Sequence, residues 1–139
     1  VKLLKELDKT ININFNNNKK KIFLNSDREQ IARVFFNLIK NSIESIQQRA
    51  ENDSNLVKNI TIEVNEENNH IIIYIVDNGK GFGISAANIK DILNPYFTTK
   101  KNGTGLGLSI VSKIINDHNG KIEFIPLDEG AKIKIDFIK

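Results

Sequence analysis

The sequence contains no cysteine. That excludes a disulfide framework, a thiolate zinc site and a thiol nucleophile. It also contains no methionine and starts at Val1, so the expectation is a piece excised from a longer chain. Unbroken apolar runs are short, as in Ile71-Ile72-Ile73, far below the roughly 20 residues a membrane-crossing helix needs, and no secretory leader is visible. An excess of one charge is also lacking: 20 Lys+Arg against 17 Asp+Glu leave a net +3. Such a balance permits an anionic small ligand and does not call for nucleic acid. The Lys19-Lys20-Lys21 run has no interleaved aromatic to stack a base, and it reads as a charged hairpin turn.

What is present suits a single soluble domain. The chain has 139 residues, 40% hydrophobic and 27% charged, enough to bury a real core. Residues 1–9 carry Leu3, Leu4 and Leu7 and are expected to be the end of a helix leading in from a preceding domain, with the domain proper over 10–139. Alternation over 11–15 predicts a half-buried strand, and 22–24 a second short one. Ser26-Asp27-Arg28-Glu29 reads as a capping box, opening a helix to about Arg49. Its inward stripe is Ile31, Val34, Phe35, Leu38, Ser42 and Ile46. Two strands follow, 60–64 and 71–76, joined by a turn at 66–69. The second is almost wholly apolar, which predicts a central strand covered on both faces. A glycine-rich loop, a short helix over 86–93, a mobile Gly- and Thr-rich stretch over 94–107, a helix over 108–118 and two final strands complete the order. Strands that follow one another without crossover helices give a mixed, mostly antiparallel sheet. Helices on one face of it make an α/β (α+β) two-layer sandwich.

Four constellations carry possible chemistry. Asn37 and Asn41 share a helix face at i, i+4, where amide oxygens suit a hard cation such as Mg²⁺; the alternative is a polar helix edge. Asp77-Asn78-Gly79-Lys80-Gly81 follows the apolar strand. A carboxylate there can accept from an exocyclic amine, and the glycines let backbone approach a flat ring; the alternative is a tight turn. Gly103-Thr104-Gly105-Leu106-Gly107-Leu108 opens a helix, where free N–H groups and the helix dipole favour phosphate; the alternative is a hinge. Phe97, Lys100 and Lys101 precede it; Phe97 is suited to anchor a loop, and Lys100 or Lys101 to meet a terminal phosphate or simply to stay in water.

Taken together and in this order, these motifs resemble the N, G1, F and G2 boxes of the GHKL ATPase superfamily, and within it the catalytic domains of sensor histidine kinases. The similarity extends over most of the chain, from about residue 10 to 137. The stretch from Asn94 to Leu108 looks most like nitrogen-regulation sensors of the NtrB/NtrY type. The resemblance implies a Bergerat-type ATP-binding fold with a mobile lid, and ATP with Mg²⁺ as ligands. It implies that Asn41 holds the metal, that Asn37 supports metal and phosphates, and that Asp77 bonds the adenine amino group beside Gly79 and Gly81. Phe97 would anchor the lid, Lys100 would face the γ-phosphate, and Gly103, Thr104, Gly105, Gly107 and Leu108 would line the phosphates. It further implies a cytoplasmic domain whose parent is a homodimer that can be anchored in the inner membrane, while the excised domain is monomeric. Its direct partner would be the parent's histidine-bearing dimerisation domain, and a response regulator its indirect one.

Two departures stand out. Many members of that family carry Lys or Arg three residues after the second Asn, where this chain has Glu44. Neither His70 nor His118 sits in the family's His-Glu/Asp-x-Arg/Lys-x-Pro setting, so the phosphoacceptor is expected on another domain. His118, at a helix end, reads as a dipole-stabilised cap. Asn37 stands where other GHKL ATPases place Glu. An amide is no general base, so unaided hydrolysis is expected to be slow. The alternative to a kinase is a nucleotide-binding docking module without kinase activity, which Glu44 favours.

Overall fold

A computed structural model describes residues 8–17, 27–81 and 107–138. Its first helix, α1 (Arg28–Ala50), runs for 23 residues. The N-cap stands one position later than expected, and the N-cap N–H goes to His118, not to a side chain of the first turn. Asp27, not Ser26, is the N-cap, and its carboxylate accepts from the N–H groups of Glu29 at 3.0 Å and Gln30 at 3.2 Å. A carboxylate satisfies those orphan donors and also suits the positive end of the helix. Of the expected inward stripe, Val34, Leu38, Ser42 and Ile46 are buried; Ile31 and Phe35 are only partly so, and Ile39 and Ile43 join the buried face.

The strands are β1 (Asn12–Asn17), β2 (Asn59–Glu67), β3 (His70–Asp77), β4 (Gly120–Pro126) and β5 (Ala131–Ile138), in the spatial order β1-β2-β3-β5-β4. The β2–β3 hairpin closes through Asn68 and Asn69 alone, both at positive φ (49° and 65°). Asn tolerates that region better than most residues, and two such residues in sequence match the twist of the strands they join. Three of the four pairings are antiparallel; β1 and β2 pair in parallel. The expectation of strands without crossover fails there, because a parallel neighbour requires one, and α1 supplies it.

The second helix, α2 (Gly107–Asp117), buries Val111, Ile114 and Ile115. These side chains and the α1 stripe join one cluster with Ile60, Ile62, Ile71, Ile73, Ile75, Phe124, Ile133, Ile135 and Phe137. All those strand positions lie on the same sheet face by register. The other face of β3 presents His70, Ile72, Tyr74 and Val76, which are half-buried. Among the described residues β3 is therefore central but covered by helices on one face only, not two; its apolar outer positions are shielded by neighbours such as Lys132, whose ammonium lies 4.5 Å from the Tyr74 ring centre. The expected strand at 22–24, the helix at 86–93 and most of the lid stretch lie outside the described residues.

His118 does more than cap. Its Nδ1 lies 2.8 Å from the Ile114 carbonyl, and its Nε2 accepts the Asp27 N–H at 3.0 Å. The residue therefore adds directed hydrogen bonds to its place at the helix end. It ties the end of α2 to the start of α1.

Candidate functional site

β3 ends at Asp77, which is 5% exposed. Burial is the main influence on its carboxyl group and raises its pKa above the usual 3.8, while hydrogen bonds from the Gly79 N–H and the Ser42 hydroxyl act in the opposite direction. The Gly79 N–H lies 2.9 Å from Oδ1. A carboxylate has about four lone-pair sites. Two donors leave acceptor capacity.

The turn that follows lies directly on α1. A Cβ at Gly79 would stand 2.7 Å from the Ile46 backbone nitrogen and would overlap the Ser45 side chain. The Lys80 N–H donates to the Ser45 carbonyl at 3.3 Å. Gly81 has φ +84°. Asn78 is anchored by its own side chain: Oδ1 accepts from the Asn59 N–H at 2.9 Å, and Nδ2 donates to the Val57 carbonyl. From the far side Gly130, at φ +108°, lies so close that a Cβ there would run into the Asp77 carbonyl.

Asn37, Asn41 and Ser45 follow one another at four-residue steps along α1, each half-buried. At 1.5 Å per residue, Asn41 is about 6 Å and Asn37 about 12 Å along the axis from the Ser45 contact with the turn. Gly107 and Leu108 open α2; Leu108 packs against the core cluster and no acidic residue stands in the first turn. Phe97, Lys100, Gly103, Thr104 and Gly105 lie outside the described residues. The structure thus sets Asp77 and Gly79 against the helix that carries Asn37 and Asn41, with Gly81 in the same turn beside Gly130. Glu44 is half-buried on the same helix.

Several participants were not singled out in the sequence. Ser42 reads as one more member of an apolar stripe, yet its hydroxyl meets Asp77; a hydroxyl in a stripe position was the available signal. Arg49 and Gly130 reach the turn from 29 and more residues away in sequence, and no local pattern marks them. Among the described residues no group of three or more His, Cys, Asp or Glu could hold a metal, and no helix is long and apolar enough to cross a membrane.

Comparison with known proteins gives a consistent result. Residues 26–139 match the family described as "Histidine kinase-, DNA gyrase B-, and HSP90-like ATPase". The chain is 35% identical to sporulation kinase A of Bacillus subtilis (strain 168) over 122 residues, 87% of this chain and 18% of that protein. It is 36% identical to nitrogen regulation protein NtrY of Azorhizobium caulinodans over 104 residues, 75% of this chain and 13% of that protein. The chain therefore spans less than a fifth of either relative. Among solved structures, the catalytic domain of histidine kinase ThkA in a nucleotide-free form superposes with a TM-score of 0.79 at 28% identity, covering 99% of this chain and 89% of that one.

Proposed function

The chain belongs to the histidine kinase-, DNA gyrase B- and HSP90-like ATPase family, and from that premise we propose that it binds Mg·ATP and passes the γ-phosphoryl group to a histidine on the dimerisation domain of its parent protein. The observation that carries this reading is Asp77. It is a buried carboxylate with spare acceptor capacity, at the end of the central strand, set beside a glycine turn that rests on the Asn37–Asn41 helix.

In this reading Asp77 accepts from the adenine amino group, and Gly79 and Gly81 leave room for the ring. The spacing along α1 then puts Asn41 and Asn37 at successively greater distances from the base, in the direction a triphosphate would extend. The last turn of α2 is tied to the first of α1 through His118, and the two helices pack together. The 11 residues of α2 lead back along α1 for about 16 Å, which supports a position for Gly107 near the asparagines. There the helix dipole and the N–H groups of the first turn would favour phosphate. Gly103, Thr104, Gly105 and Leu108 would complete that cradle, with Lys100 at the γ-phosphate and Phe97 holding the loop.

The donor set suits magnesium of a particular kind. With no acidic cluster among the described residues, the Asn41 amide oxygen would be the protein's contribution, and phosphates and water would supply the rest. Bound there, the ion would neutralise phosphate charge. The protein's own share is to orient the nucleotide and exclude water. In transfer, the bond between the γ-phosphorus and the β–γ bridging oxygen breaks, a phosphorus–nitrogen bond to the acceptor forms, and ADP leaves. A domain that consumes ATP works on the cytoplasmic side, whatever anchors the parent. A response regulator would receive the phosphoryl group from the histidine, not from this domain.

The test uses two measurements. A fluorescent ATP analogue should bind with a Kd on the micromolar scale, about −8 kcal/mol, and lose most of that affinity in EDTA. The domain should then phosphorylate a purified dimerisation domain carrying its histidine. No Mg²⁺-dependent binding would sink the reading. Binding without transfer would favour the docking module, for which Glu44 speaks.

A further inference from the structure

Arg49 stands in the last turn of α1, where a cation has an ordinary role in stabilising the negative end of a helix. Its guanidinium, however, is directed away from that end. Nη1 donates to the carbonyl of Asn78 at 2.6 Å, and Nη2 lies 3.6 Å from Glu129. Glu129 is largely exposed, its side chain 76% accessible, so that ion pair contributes little. The bond to Asn78 is different in kind.

The Asn78 carbonyl and the Gly79 N–H belong to one peptide unit. Arg49 holds its oxygen, and the Asp77 carboxylate holds its hydrogen. Both bonds depend on the same orientation of that plane: rotating it would break the two together. A peptide that precedes glycine is the one most free to rotate, because no Cβ resists the new φ. A cation on the oxygen also polarises the N–H at the other end and strengthens its bond to the carboxylate.

We propose that Arg49 is a positioning residue for base recognition. It locks the Asn78–Gly79 peptide plane, and through the Gly79 N–H it fixes the Asp77 carboxylate in the orientation that selects an exocyclic amine. This rests on Asp77 being the base-reading group. Arg49 touches no ligand itself. Its effect is selectivity for adenine nucleotides over those, such as guanine nucleotides, that present a carbonyl where adenine presents its amine.

The test compares the unsubstituted domain with Arg49→Ala and Arg49→Lys by amide hydrogen exchange and by binding of ATP and GTP. In Arg49→Ala the Gly79 amide should exchange about tenfold faster while Ile73 and Ile75 keep their protection. ATP affinity should fall about tenfold with GTP affinity little changed, so that the preference for ATP shrinks. Arg49→Lys, which keeps a cation and one donor, should recover part of the preference. Unchanged Gly79 exchange with an equal loss for both nucleotides overturns the assignment. So does loss of protection throughout the sheet in both variants, which would make Arg49 a general stabiliser. If the unsubstituted domain binds ATP and GTP alike, Asp77 is not the base reader, and the proposed site falls along with this inference. If it discriminates while Arg49→Ala discriminates equally well, only the inference falls.

Discussion

Gly79 and Gly107 stand in two glycine-rich motifs of similar appearance, yet the structure treats them differently. Gly79 is buried against α1, and a single methyl there would meet backbone atoms of Ser45 and Ile46. At Gly107 an added methyl would meet nothing within 4 Å. The first glycine is demanded by the protein's own packing. The second is not, and it opens a helix, where glycine is a poor choice on propensity alone. In the proposed reading its justification is a phosphate that approaches the backbone from outside. A glycine motif is thus two kinds of statement, one about the fold and one about a ligand, and only packing separates them.

Substitution at the two positions should pull this contrast apart. Gly79→Ala is expected to have the largest effect. The contact is with backbone, which cannot swing aside, so the cost should be about 3 kcal/mol, readable in urea unfolding, and nucleotide binding should go with it. A Gly79→Ala domain of unaltered stability would mean that the turn does not rest on the helix.

Asp77→Asn comes next and separates binding from folding at the same turn. The amide oxygen can still accept from Gly79, but its NH₂ would face the adenine amine, donor against donor. ATP affinity should fall about a hundredfold. Stability should move the other way. Because burial raises the Asp77 pKa above 3.8, folding favours the protonated acid. The stabilisation is complete below pH 3.8 and is lost as pH rises through the higher folded-state value. At neutral pH the asparagine variant should therefore be at least as stable as the parent, and this segment of the pH–stability curve should flatten. A marked fall in melting temperature at pH 7 would contradict this account.

The smallest effect is expected at Gly107→Ala. A helical position with open space around it should gain about 0.5 kcal/mol from the less flexible unfolded chain, a rise of about 2 °C in melting temperature. ATP affinity should nevertheless drop, because the methyl intrudes where phosphate would lie. Improved stability with full affinity would break the comparison, since Gly107 would then serve neither fold nor ligand.

These two glycines also mark what could be read without a structure. The Asp77-x-Gly79-x-Gly81 pattern after an apolar strand announced a turn of unusual backbone, and the α1 stripe announced which helix face turns inward. Both are local, with periods and spacings fixed by one element. The β2–β3 hairpin was legible for the same reason. The N-cap was read one residue early because Ser26 and Asp27 are both good caps and only geometry chooses between them. The parallel β1–β2 pair was missed because its register joins residues 47 apart, Asn12 to Asn59, across a helix. Arg49 and Gly130 escaped on similar grounds: each is ordinary among its neighbours and acquires its role only through a contact that the chain makes after a long excursion.

β5 is the last strand in sequence, yet it lies between β3 and β4, and the Gly130 turn that precedes it backs the Asp77 carbonyl. While the chain is being synthesised, β3 keeps one bare edge, and the Asp77 turn lacks its support, until residues 130–138 have left the ribosome. On the proposed reading, partial folding of the earlier elements would therefore confer no nucleotide grip. Closure of the sheet and completion of the pocket are one late, cooperative event that joins distant parts of the chain. A product interrupted before residue 130 would expose an aliphatic strand edge built of isoleucines, the kind of surface that aggregates or is cleared by proteolysis.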